Sequence, residues 1–242
     1  MAPSALQLAT DRLGNALRLY AESSLTTPAL ASIDLEEAVD NHDRAFDGVL
    51  SAMASAHDVM GRLKLLNFYA HGDTTAVLLV RNARHHNTSG LFQSWNALML
   101  KHGGLRAHAG AEFLMVDYTL VAGSGTTSRY FLRWEDFRAV LADPAAIVRN
   151  RLATTAMLDA ECGFSIRARA ASNCYPADQV FVNMVPIVMN GATRVFAALA
   201  ASGCATAGFD SGVYSGHFAQ GPLADLGKPT FSPLRAPPVM TT

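Results

Sequence analysis

Residues 35–66, LEEAVDNHDRAFDGVLSAMASAHDVMGRLKLL, set the fold class of the chain. The run is amphipathic at helical spacing. Asp34 stands before it as a cap, and Glu36 and Glu37 occupy the first turn, where acids complement the helix dipole. A break is expected near Gly48. Upstream, residues 5–21 repeat Leu6, Leu13, Leu17 and Tyr20 near helical spacing with Asp11, Arg12 and Arg18 off that face, which predicts a first helix. Residues 23–32, with Pro28, read as a loop. Downstream, Gly72 and Asp73 punctuate the chain before a third helix, capped by Asp73 and carrying Ala76, Val77 and Val80 on its apolar face. Asn87-Thr88-Ser89-Gly90 ends that helix, and Thr88 or Ser89 is placed to cap another over residues 91–101. Four or five helices joined by short connections read as a bundle.

After this the texture changes. HGGLRAHAG (102–110) is a Gly/His linker, and AEFLMVDYTLV (111–121) has the aromatic and branched residues of a strand. AGSGTTS (122–128) then turns the chain and RYFLRW (129–134) returns it, which predicts a hairpin. Trp134-Glu135-Asp136-Phe137 resembles a strand-to-helix junction with core aromatics; residues 135–141 and 145–158 read as helices split by Asp143-Pro144. FSIRARAA (164–171) alternates like a strand. Residues 179–201, QVFVNMVPIVMNGATRVFAALAA, are long enough to span a bilayer, but Asn183, Pro186, Asn190, Gly191 and Arg194 interrupt them. A buried core segment is expected there, and the Gly-, Ser- and Pro-rich tail is assigned no structure. The expected fold is therefore α+β and mainly α: a helical bundle over 1–105, then a β-hairpin and further helices over 106–242, packed on the bundle as one unit or standing apart.

Composition narrows the function. The 242 residues are 50% hydrophobic and carry a net charge of −1, which argues against a general nucleic-acid coat protein but leaves room for a local basic pocket. Lys occurs only at 64, 101 and 228, so the bases are mostly Arg, a preference that fits phosphate recognition and also follows from a GC-rich genome. Cys162, Cys174 and Cys204 form no CxxC pair, and their odd count argues against a disulfide framework or zinc ribbon. The N-terminus carries charges through its apolar positions and lacks a signal-peptide core. A cytoplasmic protein without membrane contact is expected. P-loop, Rossmann and GxSxG patterns are missing, and Gly123-Ser124-Gly125 reads as turn chemistry. His102 and His108 with Asp117 match no metal-ligand frame, so neither a metal nor another cofactor is expected. Cys174 has no neighbouring base, and Tyr214 and His217 read as surface-loop residues.

Chemistry concentrates at the end of the third helix, in Arg81, Asn82, Arg84, His85, His86 and Asn87. Arg81 and His85 are four residues apart and share a helix face. His86 lies a step further around, near the helix end. A guanidinium fork can hold a phosphate and stabilise a growing oxyanion, and an imidazole can move a proton near neutral pH. Together they suffice in principle for RNA, whose 2′-OH can attack its own 3′-phosphate without a metal; DNA lacks that nucleophile. Arg149-Asn150-Arg151 repeats the RN dipeptide with no following His. A histidine-rich helix end is also favourable simply because cations complement the dipole there.

Arg81-Asn82-Ala83-Arg84-His85-His86 resembles the RNxxxH signature of the HEPN superfamily, helical-bundle proteins that include metal-independent ribonucleases of toxin–antitoxin, anti-phage and CRISPR systems. The resemblance spans residues 35–102. It implies an endoribonuclease leaving 2′,3′-cyclic phosphate ends, with Arg81, Asn82 and His86 catalytic, His85 one residue early as the reserve, and Arg84 and Asn87 binding substrate. It also implies an RNA substrate, a homodimer with two motifs facing each other, and an antitoxin or defence-system partner. Many such domains are non-catalytic nucleotide- or protein-binding modules, the alternative expectation. A small-molecule enzyme with its site among the C-terminal elements is a third.

Overall fold

The computed structural model describes residues 4–85, 90–101, 103–121, 128–143, 150–163, 173–218, 221 and 224–237. Helix α1 (Ala5–Ala31) opens with a capping box, the Ser4 hydroxyl accepting from the Gln7 N–H and the Gln7 side chain accepting from that of Ser4. It runs through the expected loop: Ser24, Thr26 and Thr27 turn their hydroxyls back onto carbonyls one turn earlier, and Pro28 lies inside the last turn. Helix α2 (Leu35–Arg62) starts as expected, with the Asp34 carboxylate accepting from the Glu37 N–H at 2.9 Å. It does not break at Gly48, which faces open space.

Helix α3 (Gly72–His85) begins one residue early, so Asp73 is not its cap. Asp73 is instead buried and accepts from Arg194 Nε at 2.8 and 2.9 Å. The next helix is short, α4 (Trp95–Leu100), and is capped by Ser94, since residues 90–92 form a turn; the expected caps Thr88 and Ser89 lie outside the described residues. The expected linker holds one helical turn, α5 (Gly104–Ala107).

Both strands of the expected hairpin form, β1 (Glu112–Leu120) and β2 (Phe131–Arg133), but they are not neighbours. Strand β3 (Val180–Asn183) lies between them, parallel to β1 and antiparallel to β2, and β4 (Ala224–Arg235) closes the other side of β1 antiparallel, giving the order β2-β3-β1-β4. The parallel pair needs a long crossover, supplied by a segment that includes α6 (Trp134–Ala142) and α7 (Arg151–Glu161). The apolar segment expected over 179–201 divides into β3 and α8 (Val185–Ala201). The tail, left unassigned from sequence, contributes α9 (Phe209–Phe218) and β4. The strand expected over 164–171 lies outside the described residues.

The sheet has an apolar layer on each face. Leu114, Val116 and Tyr118 of β1 join a core that runs from Leu6 through Met53, Val77 and Ile187 to Leu226. Phe113 and Met115 point the other way, into a small cluster with Phe181 and Trp95. In β4, Pro229 and Pro233 pair with Tyr118 and Leu114; having no N–H, they fall where the ring nitrogen faces the open edge. No described helix is long and apolar enough to cross a membrane.

Candidate functional site

Two helix faces meet at the site. Asp47, Leu50 and Ser51 of α2 and Arg81, Arg84 and His85 of α3 each repeat at i, i+3, i+4, and these six residues line one cleft of about 270 Å³. Arg81 Nη1 donates to Asn82 Oδ1 at 3.1 Å, its one side-chain hydrogen bond among the described residues, while its Nε is buried without a partner. Of the motif residues, the structure thus brings Arg81 and His85 to one recess, with Asn82 beside Arg81. His86 and Asn87 lie outside the described residues.

Arg84 is held differently. Its Nε meets Asp47 Oδ1 at 2.7 Å and its Nη2 donates to Oδ2 at 3.1 Å, a bidentate pair. Its Nη1 donates to the Phe92 carbonyl and to the Tyr130 hydroxyl, each at 3.0 Å. Tyr130 in turn donates to Asp43 Oδ1 at 2.8 Å, and Ser94 donates to Oδ2 at 3.1 Å. Phe46 stacks on the Tyr130 ring with centroids 3.8 Å apart. Burial pulls the Arg84 guanidinium down, but Tyr130, Asp47 and Asp43 lift it above the ordinary arginine range. Burial pushes the Asp47 carboxyl above the usual carboxylate range against the opposing pull of Arg84. Burial also drives Tyr130 well above an ordinary phenol.

Phe92 sits in the left-handed region at φ 58°, a conformation that costs a non-glycine residue about 1–2 kcal/mol. It is fixed from three sides: its N–H donates to Asp136 at 2.7 Å, its carbonyl accepts from Arg84, and its ring packs edge-on against Phe137. Asp43, Asp47, Phe92, Ser94 and Tyr130 were not singled out from sequence. One signal existed for the two acids: they are four apart, immediately beside the apolar stripe of Phe46, Val49, Leu50 and Met53.

A separate cavity of about 310 Å³ lies near the start of α3, lined by Asp73, Glu161, Asp225 and Arg194 among others. The Asp73–Arg194 pair cancels its cation, and Glu161 is tied to the Gly72 N–H at 2.8 Å. At the weighed metal site, Asp117 is bound by Arg129 and Asn183 and the His108 ring lies edge-on to Phe113, while His102 is outside the described residues. Tyr214 and His217 are on α9 rather than a loop, both against Phe218. No protein-family model, curated protein or solved structure matches the chain.

Proposed function

We propose that the α2–α3 cleft binds and cleaves an RNA phosphodiester without a metal. The observation that carries this reading is the single recess lined by both Arg81 and His85. In the proposed reaction the His85 imidazole removes the 2′-OH proton as the 2′-oxygen forms a bond to phosphorus. The bond from phosphorus to the 5′-oxygen breaks, that oxygen takes a proton from water, and the imidazolium returns its own to solvent. The products are a 2′,3′-cyclic phosphate and a 5′-hydroxyl. Arg81 steadies the non-bridging oxygens as charge grows on them, and Asn82 holds the Arg81 fork in place. Arg84 is assigned a positioning part, since all three of its nitrogens are engaged by Asp47, Phe92 and Tyr130. The motif resemblance extends the proposal to a homodimeric effector of toxin or anti-phage systems.

The test is incubation with mixed RNA and a DNA control in EDTA. Wild type should cut RNA to cyclic ends and leave DNA whole. Arg81→Ala and His85→Ala should each slow cutting by about 100-fold or more with unchanged circular dichroism. If His86→Ala abolishes cutting and His85→Ala does not, the proton carrier is His86. RNA left intact by wild type rejects cleavage and leaves the non-catalytic binding module.

A further inference from the structure

Asp47 and Arg84 line two recesses at once. One is the cleft of Arg81 and His85; the other, of about 320 Å³, opens toward Asp43, Leu91, Gln93 and Ala97. We propose that this second recess is the nucleobase subsite for the nucleotide whose phosphate lies at Arg81, and that it selects bases with an exocyclic amino group over uracil. The proposal rests on the nucleotide-phosphate reading of the first cleft.

The two recesses differ in chemistry. Arg81 presents donors and His85 an imidazole to the first recess, whereas the second is lined by the Asp43 carboxylate, by the Asp47 carboxylate paired with Arg84, and by the exposed amide of Gln93, which carries an acceptor as well as donors. Asp43 already accepts from Tyr130 and Ser94 through separate oxygens, yet a carboxylate has about four acceptor positions, so it can receive further donors. A phosphate beside acceptors is the charge order of a nucleotide with an amino-bearing base: anion at one end, N–H donors at the other. Adenine, cytosine and guanine offer an amino group to such a wall. Uracil offers two carbonyls and one N–H, and a carbonyl set against a carboxylate is left unpaired. Ala97 and Leu91 add apolar surface for a ring face.

The recess is also pre-formed. Phe92 is pinned in its left-handed conformation by Asp136 and Arg84, and Ser94 both caps α4 and bonds Asp43, so its wall is ordered before a ligand arrives. Each recess alone sits near the lower end of the about 300–1,000 Å³ typical of ligand pockets. Sharing the Asp47–Arg84 pair as a common wall, the two recesses side by side match a ligand with two chemically distinct ends.

Calorimetric titration of the full chain with AMP, CMP, GMP and UMP, and with ribose 5-phosphate as the baseless probe, tests this. AMP, CMP and GMP should bind about tenfold tighter than UMP, and UMP should bind no better than ribose 5-phosphate. Gln93→Ala, at an exposed position, and Asp43→Asn, with its unfolding midpoint checked, should each narrow that gap. Arg81→Ala should weaken all five probes alike. Equal affinity for the four nucleotides, with Arg81 still required, overturns the subsite and leaves the phosphate site standing. Failure of all five to bind overturns both.

Discussion

His42 and His57 show how a single buried side chain couples stability to pH. Burial lowers each below the ordinary histidine range, against the smaller pull of Asp43 on His42 and of Asp58 on His57. His42 packs against Tyr20 and Tyr130 with a hydrogen bond to the backbone of Arg129; His57 packs against Phe68 and Tyr69. The unfolded chain takes up these protons below about pH 6.5, whereas the folded chain resists. The unfolded chain therefore binds more protons over that window, and stability is lost as pH falls below 6.5 toward the depressed folded values. Urea midpoints at pH 7 and pH 5 should show this drop, and His42→Gln should make it shallower; an unchanged drop would assign it elsewhere. The motif cluster divides at this same scale. Sequence placed Arg81 and His85 on one helix face, and that much was legible. That Arg84 is tied to Asp47, 37 residues earlier, depends on how α2 is rotated against α3, which neither helix's own pattern contains.

At the scale of elements, local chemistry and packing compete openly. Pro28 with the Ser/Thr run before it reads as a loop, yet α1 continues to Ala31 because it packs along α2 and its hydroxyls return to helix carbonyls. The close crossing of α1 and α9 rests on Gly14, where an added Cβ would stand 2.7 Å from the Ser211 backbone nitrogen. Gly14→Ala should therefore cost about 1–3 kcal/mol in denaturant unfolding. Gly48→Ala, in the open interior of α2, should instead stabilise by about 0.5–1 kcal/mol. The pair separates contact from helix propensity, because propensity alone would make both favourable. The hairpin expectation failed for a related reason. Strands close in sequence usually pair, and nothing in RYFLRW announces that β3 will be inserted beside it. The β3 strand itself was hidden because VFVN runs without a turn into the apolar α8.

For the whole molecule, the fold class was legible and the boundary at residue 105 was drawn from texture alone. The apolar core crosses that boundary: Val77 and Val80 of α3 belong to the same buried cluster as Ile187 and Val188 of α8. A fragment of residues 1–105 would expose this face, so it should bind a hydrophobic dye and exchange its α3 amides quickly, whereas the full chain protects them; native-like protection in the fragment would show that the bundle stands by itself. The strand order carries a last consequence, for synthesis. β1 is flanked on one side by a strand that starts at residue 180 and on the other by one that starts at residue 224. At about 5–20 residues per second the ribosome needs on the order of 3–12 seconds to travel from β1 to β3. During that interval β1, an inner strand of the sheet, has neither neighbour, and a nascent chain of this protein relies on the helices already made, or on a chaperone, to shield it.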